Sequence, residues 1–354
     1  MDFEFSEEQE ALRAAVRRFL TEQAPIQPYV RELYGDPRGT TEAAWKGLAD
    51  LGATGLLVPA EHGGAGMGMV DIGVVLEELG RAVHPGPFLS SAVAAASALA
   101  ATGDGGDLLE KIADGSLVAT VALVEDDGRD WRRMTTTADG GALTGTKTFV
   151  ADAPAADVLL VSAPDGLYAV DRGADGLTVE HMPTVDGTRS FGTVSLNSTP
   201  ARRLGQVDVG EVVDRILVAL VTDAVGAAQG ALDLAVAYAK ERVQFDRPIG
   251  SFQAVQHLCT DMLQALELGR AGAYYALWAC DAADPAERHR AALMAKAFAA
   301  DAFPRIGASA IQIFGGVGFT WEHDVHLFYK RLLTLQQAYG DATDALEELA
   351  TVVL

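Results

Sequence analysis

The periodicity of apolar residues changes twice along the chain, and these changes restrict the fold more than any single motif does. Up to about residue 115, apolar residues recur at helical spacing, as Leu12, Val16 and Leu20 do. From residue 116, short alternating runs separated by Gly-rich turns are typical of β-strands. From about residue 207, long segments rich in Ala, Val and Leu are again helical. The pattern predicts an α+β fold with an N-terminal helical domain, a middle antiparallel β-barrel or sandwich, and a C-terminal four-helix bundle.

The three predicted domains cover residues 1–115, 116–205 and 206–354. Ser6 and Gln9 form a capping-box pattern that starts the first helix, and Asp127-Gly128 is one of several predicted turns. The other predicted helices cover residues 42–51, 70–81, 90–101, 108–114, 211–243, 253–281, 285–313 and 341–354. The predicted strands lie within residues 116–124, 142–152, 157–163, 166–172, 177–183 and 191–198.

Charge and composition exclude several classes of protein. The formal net charge of −22 disfavours nucleic acid and anionic membranes as partners, because both select basic patches. Cys259 and Cys280 lie within helical patterns without metal-ligand spacing, so we expect free thiols in a reducing cytoplasm. The N-terminal segment has no signal-peptide core, and no apolar run is expected to reach the length of a membrane span. We therefore expect a cytoplasmic protein.

Two other motifs have structural interpretations. Residues 62–68 are Gly-rich, but Met69 occupies the third glycine position of a dinucleotide-binding loop, so we expect a turn between helices. His323 and His326 are spaced as metal ligands can be. The acidic residues beside them would point to different faces of a helix, so we expect no metal site.

Residues 241–257, with the sequence ERVQFDRPIGSFQAVQH, lie at the break between two long helical patterns. One interpretation is a helix C-terminus that favours cations, followed by a Pro-Ile-Gly turn. The alternative is a nucleotide-cofactor site, because an Arg fork binds phosphate and an aromatic face suits a heterocycle. The residues by themselves leave both interpretations open.

RVQFDRPIGSFQAVQH closely resembles a signature of the acyl-CoA dehydrogenase family, in which an Arg-x-x-Phe-Gly-x-Pro-Ile-x-x-Phe-Gln run joins two helices of the C-terminal bundle. QIFGGVGFTWEH, residues 312–323, resembles the family's second signature. VPAEHGGAGMG resembles its N-terminal domain, and ALTGTKTFVADAPAADVLLV resembles its β domain. The resemblance covers essentially the whole chain, in an order that agrees with the three predicted domains.

The resemblance implies a flavoprotein that oxidises an acyl-CoA thioester across its α and β carbons. In this family a carboxylate base removes the α proton while the β hydrogen leaves as hydride to FAD. The electrons then usually pass to an electron-transfer flavoprotein. Each FAD is shared between two subunits, so a chain contributes residues both to its own flavin and to its neighbour's.

The residues that would contact the neighbour's FAD match the family pattern. By its place in the motif, Arg242 is expected to contact the pyrophosphate, with Gln244 hydrogen-bonding beside it. Gly315 would allow close approach of the backbone. The remaining expected contacts are Phe245, Ile249, Phe252, Val255, Gln312 and Gly316.

The residues that would contact the chain's own flavin depart from the family pattern. Val124 stands where the family has Thr, and Asp126 stands where it has Pro. Phe149-Val150-Ala151 replaces a Trp-Ile-Thr run, so Ala151 lacks the hydroxyl expected near the flavin.

The family's catalytic Glu occupies one of two positions, and neither is Glu here. Tyr339 stands at one position and Ile216 at the other. Three Asp residues are weak alternative bases. Asp341 suits an N-cap better, and Asp214 would need a shifted helical register. Asp223 lies two turns, or about 10 Å, from position 216, whereas a base must approach its target within about 3 Å.

The chain keeps the residues that would contact a neighbour's FAD, whereas the residues for its own flavin are altered. In this combination it resembles the partner subunit of actinobacterial α2β2 acyl-CoA dehydrogenases. In those assemblies the partner completes the FAD site of a related catalytic chain. We therefore predict a catalytic subunit as partner. A self-sufficient homotetramer that uses an Asp base and a flavin-free helical scaffold are the alternatives.

Overall fold

The structure is a computed structural model that describes residues 5–126 and 129–353. Within them, helices extend to Ala113, strands lie between Ala119 and Gly205, and long helices follow from Val209. This succession confirms the predicted fold class. The predicted turn at Asp127-Gly128 lies outside the described residues.

Within residues 5–115, as the structure describes them, there are five α-helices. They are α1 (Glu7–Gln23), α2 (Glu42–Asp50), α3 (Met69–Arg81), α4 (Ala96–Thr102) and α5 (Gly106–Ala113). The Ser6 hydroxyl accepts a hydrogen bond from the Gln9 N–H, and the Gln9 side chain returns one to the Ser6 N–H. The predicted capping box is therefore present. The predicted helix at 90–101 is present too, although its first part, Leu89–Ala95, has π-helical hydrogen bonding.

Eight strands form two four-stranded sheets among the described residues of the middle region. They are β1 (Ala119–Ala122), β2 (Thr137–Asp139), β3 (Ala142–Ala151), β4 (Val158–Ala163), β5 (Gly166–Asp171), β6 (Leu177–Met182), β7 (Phe191–Pro200) and β8 (Arg202–Gly205). The sheet orders are β1-β4-β5-β8 and β2-β3-β7-β6. A shared apolar cluster that includes Leu143, Leu159 and Val194 contains residues of both sheets, as in a sandwich. The antiparallel prediction is wrong for one pair, because β1 runs parallel to β4.

The C-terminal region contains α6 (Val209–Glu241), α7 (Gln253–Ala282), α8 (Pro285–Phe314), α9 (Val325–Gln337) and α10 (Ala342–Val353). A two-residue hairpin, β9 (Val243–Gln244) and β10 (Arg247–Pro248), joins α6 to α7. Helix α9 was not predicted from the sequence. By length and hydropathy alone, α6 would qualify as a membrane span, contrary to expectation. However, 83% of its most apolar window is buried inside the fold, as in a core helix.

Helices α3 and α6 cross with backbone in contact. A Cβ atom at Gly80 would lie 1.8 Å from the carbonyl oxygen of Asp223. A Cβ atom at Gly226 would lie 1.9 Å from the carbonyl oxygen of Glu77. Any larger residue at either glycine would force the helices apart, so these two positions fix the crossing point.

A buried ion cluster around Arg331 of α9 joins the three regions. The Arg331 guanidinium is 2% exposed and donates to both carboxylate oxygens of Asp223, at 3.0 and 3.1 Å. It also donates to the Thr188 hydroxyl and to the carbonyl of His84, and it lies 3.2 Å from Asp186. The three regions therefore meet at one side chain.

Replacing Arg331 by Met should destabilise the fold strongly. The substitution leaves the carboxylates of Asp186 and Asp223 buried with less compensating charge, and such a loss costs about 3–5 kcal/mol. Urea unfolding of the purified chain measures the change. The matched control is Arg305→Met, because Arg305 is 74% exposed and pairs with Asp301 on its own helix. That change should stay within about 0.5 kcal/mol. Equal losses in the two variants would contradict a central role for the cluster.

Candidate cofactor-binding site

The hairpin between α6 and α7 begins where Arg242 caps α6. The Arg242 N–H donates to the Tyr238 carbonyl at 2.8 Å, and the Ile249 N–H donates to the Arg242 carbonyl at 2.8 Å. Phe245 and Asp246 form the turn with φ of 55° and 62°. Two consecutive positive φ angles are typical of a tight hairpin, which settles the local structure at the predicted helix break.

The side chains of this hairpin project away from the chain. Phe245 is 86% exposed, and Arg242 and Gln244 are also exposed. The Gln244 amide donates to the adjacent Val243 carbonyl. Among the described residues, no acceptor or anion pairs with the Arg242 guanidinium. A large aromatic ring and an uncompensated cation on a protruding turn are features of a binding surface.

An aromatic stack holds the second motif, residues 312–323, beside the first motif, residues 241–257. The rings of Tyr238 on α6 and Phe314 on α8 are 4.2 Å apart and nearly parallel, at 14°. Arg242 lies one turn after Tyr238, and Gly315 and Gly316 follow Phe314 directly. The two predicted cofactor motifs therefore meet at the same end of the bundle.

The glycines of the second motif leave open space. Gly315 has a φ of 69°, and a Cβ atom at Gly315 or Gly316 would meet no atom within 4 Å. Gln312, one turn earlier on α8, is exposed. An open backbone surface next to an exposed amide suits a ligand that approaches the main chain closely.

The apolar residues of the first motif line the start of α7. Ile249, Phe252 and Val255 are half-buried. The Phe252 ring carries the Arg247 guanidinium at 4.0 Å and receives the edge of the Phe245 ring at 6.0 Å. The hairpin is thus held in one conformation by its own side chains.

The three candidate bases have structural partners. Asp223 is buried against Arg331 and against Arg189, whose Nη2 lies 2.8 Å away. Burial alone would raise the pKa of Asp223, but the two guanidiniums outweigh it and lower the pKa. Asp214 is buried between Arg288 at 3.2 Å and His289 at 2.7 Å.

Asp341 accepts the N–H groups of Thr343 and Asp344 at 2.8 and 3.1 Å. It is therefore the N-cap of α10, as predicted. The Asp344 carboxylate in turn accepts the Asp341 N–H at 2.8 Å. The backbone hydrogen bonds lower the pKa of Asp341.

The two positions at which the family resemblance predicts a catalytic Glu face a cavity of about 50 Å³. Ile216 and Tyr339 line this cavity together with Leu220, Phe149 and Ala151. Burial raises the pKa of the Tyr339 phenol. Apolar and aromatic side chains therefore occupy both positions.

Asp152 is a cavity residue that the sequence analysis missed. It lines the same cavity, is buried, has a φ of 51°, and accepts a hydrogen bond from the Ser90 hydroxyl at 2.7 Å. Burial raises its pKa. Its position after a β-strand gave no sign that the side chain would turn inwards.

The first β-domain loop is fixed by Glu125 rather than opened toward a ligand. The Glu125 carboxylate accepts hydrogen bonds from Lys147 at 2.8 Å and from the Thr136 hydroxyl at 2.7 Å, and also from Thr135. Burial would raise its pKa, but these donors lower it to about 2. Val124 beside it is buried, and Asp126 is exposed with a φ of 52°.

The remaining motifs are structural. Residues 62–68 form the predicted turn before α3. The His323 ring packs edge-on against Tyr238 and Phe314, and His326 packs against Trp321. Cys259 and Cys280 are free thiols, half-buried and buried.

A helical region, a two-sheet sandwich and a long-helix bundle, in this order, define a flavoprotein oxidoreductase fold. Residues 6–105 match the acyl-CoA dehydrogenase N-terminal domain and residues 213–352 match the acyl-CoA dehydrogenase C-terminal domain. The chain belongs to the acyl-CoA dehydrogenase family.

One relative of similar length and one longer relative support this assignment. Acyl-CoA dehydrogenase IpdE2 of Mycolicibacterium smegmatis is 32% identical over 98% of this chain and 99% of its own. Acyl-CoA dehydrogenase FadE34 of Mycobacterium tuberculosis is 35% identical over 92% of this chain, but this chain covers only 45% of FadE34.

Two solved structures superpose closely. The Tcur3481-Tcur3483 steroid ACAD G363A variant has a TM-score of 0.91 at 34% identity, covering 98% of both chains. The ChsE4-ChsE5 complex from Mycobacterium tuberculosis has a TM-score of 0.88 at 29% identity, covering 99% of this chain and 98% of the other.

Substitution of Asp341 distinguishes a cap from a base. Asp341→Ala should expose α10 to hydrogen exchange, whereas Asp341→Asn should preserve its protection, because Asn caps helices as well as Asp does. Since the folded pKa is lowered, the carboxylate's contribution is complete above the unfolded pKa and is lost as pH falls through the folded value. Hydrogen-exchange mass spectrometry of residues 342–353 measures both effects. An intact α10 in the Ala variant would contradict the capping role.

Proposed function

We propose that this chain completes the FAD site of a related catalytic subunit in a heteromeric acyl-CoA dehydrogenase. The single observation that carries the proposal is an asymmetry. The neighbour-directed motifs are present and exposed, whereas Ile216 and Tyr339 occupy the two positions of the catalytic Glu. A chain built in this way has a cofactor surface but no base of its own.

The exposed hairpin supports the neighbour-directed half of the proposal. Phe245 offers a large apolar surface that a partner subunit would bury, and aromatic anchors of this kind dominate interface energies. Arg242 beside it is available to pair with an anion, since no described residue supplies one. A subunit interface that encloses a phosphorylated cofactor would satisfy both.

The residues present fit FAD. Arg242 would pair with the pyrophosphate and Gln244 would hydrogen-bond beside it, because a guanidinium fork binds phosphate oxygens in pairs. The side-chain-free surface at Gly315 and Gly316, with Gln312 next to it, would receive the nucleotide close to the backbone. When bound, FAD supplies a hydride acceptor for the oxidation of the acyl thioester.

The chain's own cavity supports the absence of a second reaction centre. Its volume of about 50 Å³ is far below the range of about 300–1,000 Å³ that is usual for ligand pockets. Phe149 and Tyr339 fill space there, and Ala151 offers no hydroxyl. The ring system of a flavin together with an acyl chain would not fit without displacement of these side chains.

The ion pairs of the candidate bases also support a chain that has no base of its own. Asp223 and Asp214 are each buried between two cationic or protonatable groups, and Asp341 caps α10. Freeing any of these carboxylates for proton transfer would leave a buried charge or an uncapped helix. The self-sufficient homotetramer with an Asp base is therefore the weaker alternative.

The relatives are consistent with a two-chain assembly. Both solved structures carry two protein names, Tcur3481-Tcur3483 and ChsE4-ChsE5. More than half of FadE34 lies outside the match, enough for a second unit of similar size. We infer an α2β2 assembly in the cytoplasm that acts on an acyl-CoA and passes electrons to an electron-transfer flavoprotein.

Expression with and without a catalytic subunit tests the proposal. The chain would be purified alone and together with an acyl-CoA dehydrogenase chain of the same organism that carries the catalytic Glu. We expect acyl-CoA to reduce flavin only in the joint preparation, because only the partner supplies a base. If the chain alone purified with FAD and acyl-CoA bleached its flavin absorbance, the homotetramer would be correct. A stable, active complex without FAD at this interface would favour the scaffold.

Arg242→Met tests the cofactor contact within the complex. Loss of a charge-assisted contact of about 1.5–3 kcal/mol should weaken FAD binding by about ten- to hundredfold. Flavin content after gel filtration and FAD titration of the stripped complex measure the effect. The control is Arg202→Met, because Arg202 is an exposed arginine of β8 that pairs with Asp107. Equal FAD affinity in the Arg242 variant would contradict the assignment.

A further inference from the structure

Helix α10 is attached to the bundle mainly by charged side chains. Its apolar contact with α8 is a small cluster of Leu293, Ala297 and Ala345, with Leu349 packed against it. Of its described residues, Ala345 is the one that is buried, whereas Leu346 is 55% exposed. Burial of so little apolar surface contributes little stability, so polar contacts decide whether α10 stays in place.

His289 of α8 forms the central polar contact. Its Nδ1 lies 2.7 Å from the Asp214 carboxylate of α6, and its Nε2 lies 2.9 Å from the Glu348 carboxylate of α10. A neutral imidazole has one N–H donor, whereas an imidazolium has two. Since carboxylates only accept and carry negative charge, both contacts are favourable only when His289 is protonated.

We propose that α10 is a proton-controlled lid, clamped to α6 while His289 carries its second proton and released when His289 loses that proton. In the neutral form one ring nitrogen presents a lone pair to a carboxylate at hydrogen-bond distance. That contact is repulsive, and α10 is the less firmly packed of the two helices that it joins.

The lid covers a cavity of about 170 Å³. Trp131, Leu217, Lys296 and Tyr339 are among the residues that line it. Tyr339 also lines the cavity of about 50 Å³ that holds the two Glu positions, so this residue is a wall between the two spaces. Movement of α10 would pull directly on the segment that carries Tyr339.

Arginines share the carboxylates that His289 contacts. Arg288 lies 3.2 Å from Asp214, and Arg132 donates to Glu348. These arginines stay charged throughout the accessible pH range and cannot act as the switch. They reduce the loss that follows deprotonation but do not remove it, because the His289 ring contacts both the Asp214 carboxylate of α6 and the Glu348 carboxylate of α10.

The remaining charged groups around the cavity act differently. Arg129 lies 3.5 Å from Asp344 and 3.9 Å from Asp341, which adds a constant attachment of α10. Burial lowers the pKa of Lys296 to about 7. Lys296 donates to the Leu335 carbonyl on α9 and not to a residue of α10.

The sign of the pH effect separates His289 from Lys296. The Asp214 hydrogen bond, opposed in part by burial, raises the pKa of His289 above its ordinary value. Its stabilising contribution is therefore complete below the unfolded pKa of about 6.5 and is lost as pH rises through the folded pKa. For Lys296, with a lowered folded pKa, stability instead increases as pH rises between the folded and unfolded values. Loosening of α10 at higher pH is thus a signature of His289.

Hydrogen-exchange mass spectrometry of the full-length chain tests the lid at about pH 6 and about pH 8.5, on either side of the histidine range. After correction for intrinsic exchange rates, protection of residues 342–353 should fall at the higher pH. The fall should be about tenfold for each unit by which contact with α10 raises the pKa of His289. Segments of α6 and α7 should keep their protection. Unchanged protection of α10 in the wild-type chain would overturn the proposal without any variant.

Two variants assign the effect to His289. His289→Gln carries one donor group, its NH2, and one acceptor, its carbonyl oxygen, at every pH, so α10 should exchange at the faster rate at both pH values. His181→Gln, on the exposed strand β6, should behave like the wild type. If His289→Gln retained the pH-dependent loss of protection, another group would be responsible and the proposal would be wrong.

Discussion

The fold depends on a buried guanidinium that three separate parts of the chain share. Arg331 comes from the bundle and contacts the main chain at His84, the β-region loop at Asp186 and Thr188, and the core helix α6 at Asp223. Burial and the neighbouring arginines lower the pKa of His84 to about 3, so this histidine adds no further charge. Such a cluster cannot be partly formed, because each missing partner leaves a desolvated charge. It therefore ties the helical region, the sandwich and the bundle into one arrangement.

That arrangement gives the two halves of the proposed site opposite properties. At one end of the bundle, the hairpin and the glycines after α8 present unpaired polar groups and bare backbone to the outside. At the other, the cavity beneath the sandwich is closed by Ile216, Phe149 and Tyr339. The carboxylates of Asp223 and Asp214 are held in ion pairs, whereas the Arg242 guanidinium is exposed and unpaired among the described residues. Both features are explained if the chain serves a reaction centre that lies in another subunit.

Local signals in the sequence predicted much of this structure. Capping at Ser6 and Asp341, the break after α6 and most helix bounds depend on neighbouring residues, and the structure agrees with them to within a few residues. Strands β2 and β8, with three and four residues, are too short to show an alternating pattern. Helix α9 carried a usable signal in Phe328, Leu332 and Leu335 at helical spacing, which the nearby glycine motif obscured.

Long-range features were not predictable in the same way. The parallel pairing of β1 with β4 depends on which strands meet in space. The inward turn of Asp152 depends on a left-handed backbone conformation, and the partners of Asp223 and Asp214 come from residues far along the chain. No spacing in the sequence records these meetings. The proposed roles of Arg242, Gln244 and the glycines were predictable only through the resemblance of whole motifs.

The glycine crossing of α3 and α6 has a mechanical consequence for the open end of the molecule. Sixteen residues separate Gly226 from Arg242 along one helix, a lever of about 24 Å at 1.5 Å per residue. Because backbone touches backbone at the pivot, the helices can rotate slightly but cannot slide. A tilt of only about 5° there would displace the guanidinium by about 2 Å over this lever length. Alignment of the cofactor surface therefore depends on a contact point between α3 and α6, about 24 Å from Arg242 along α6.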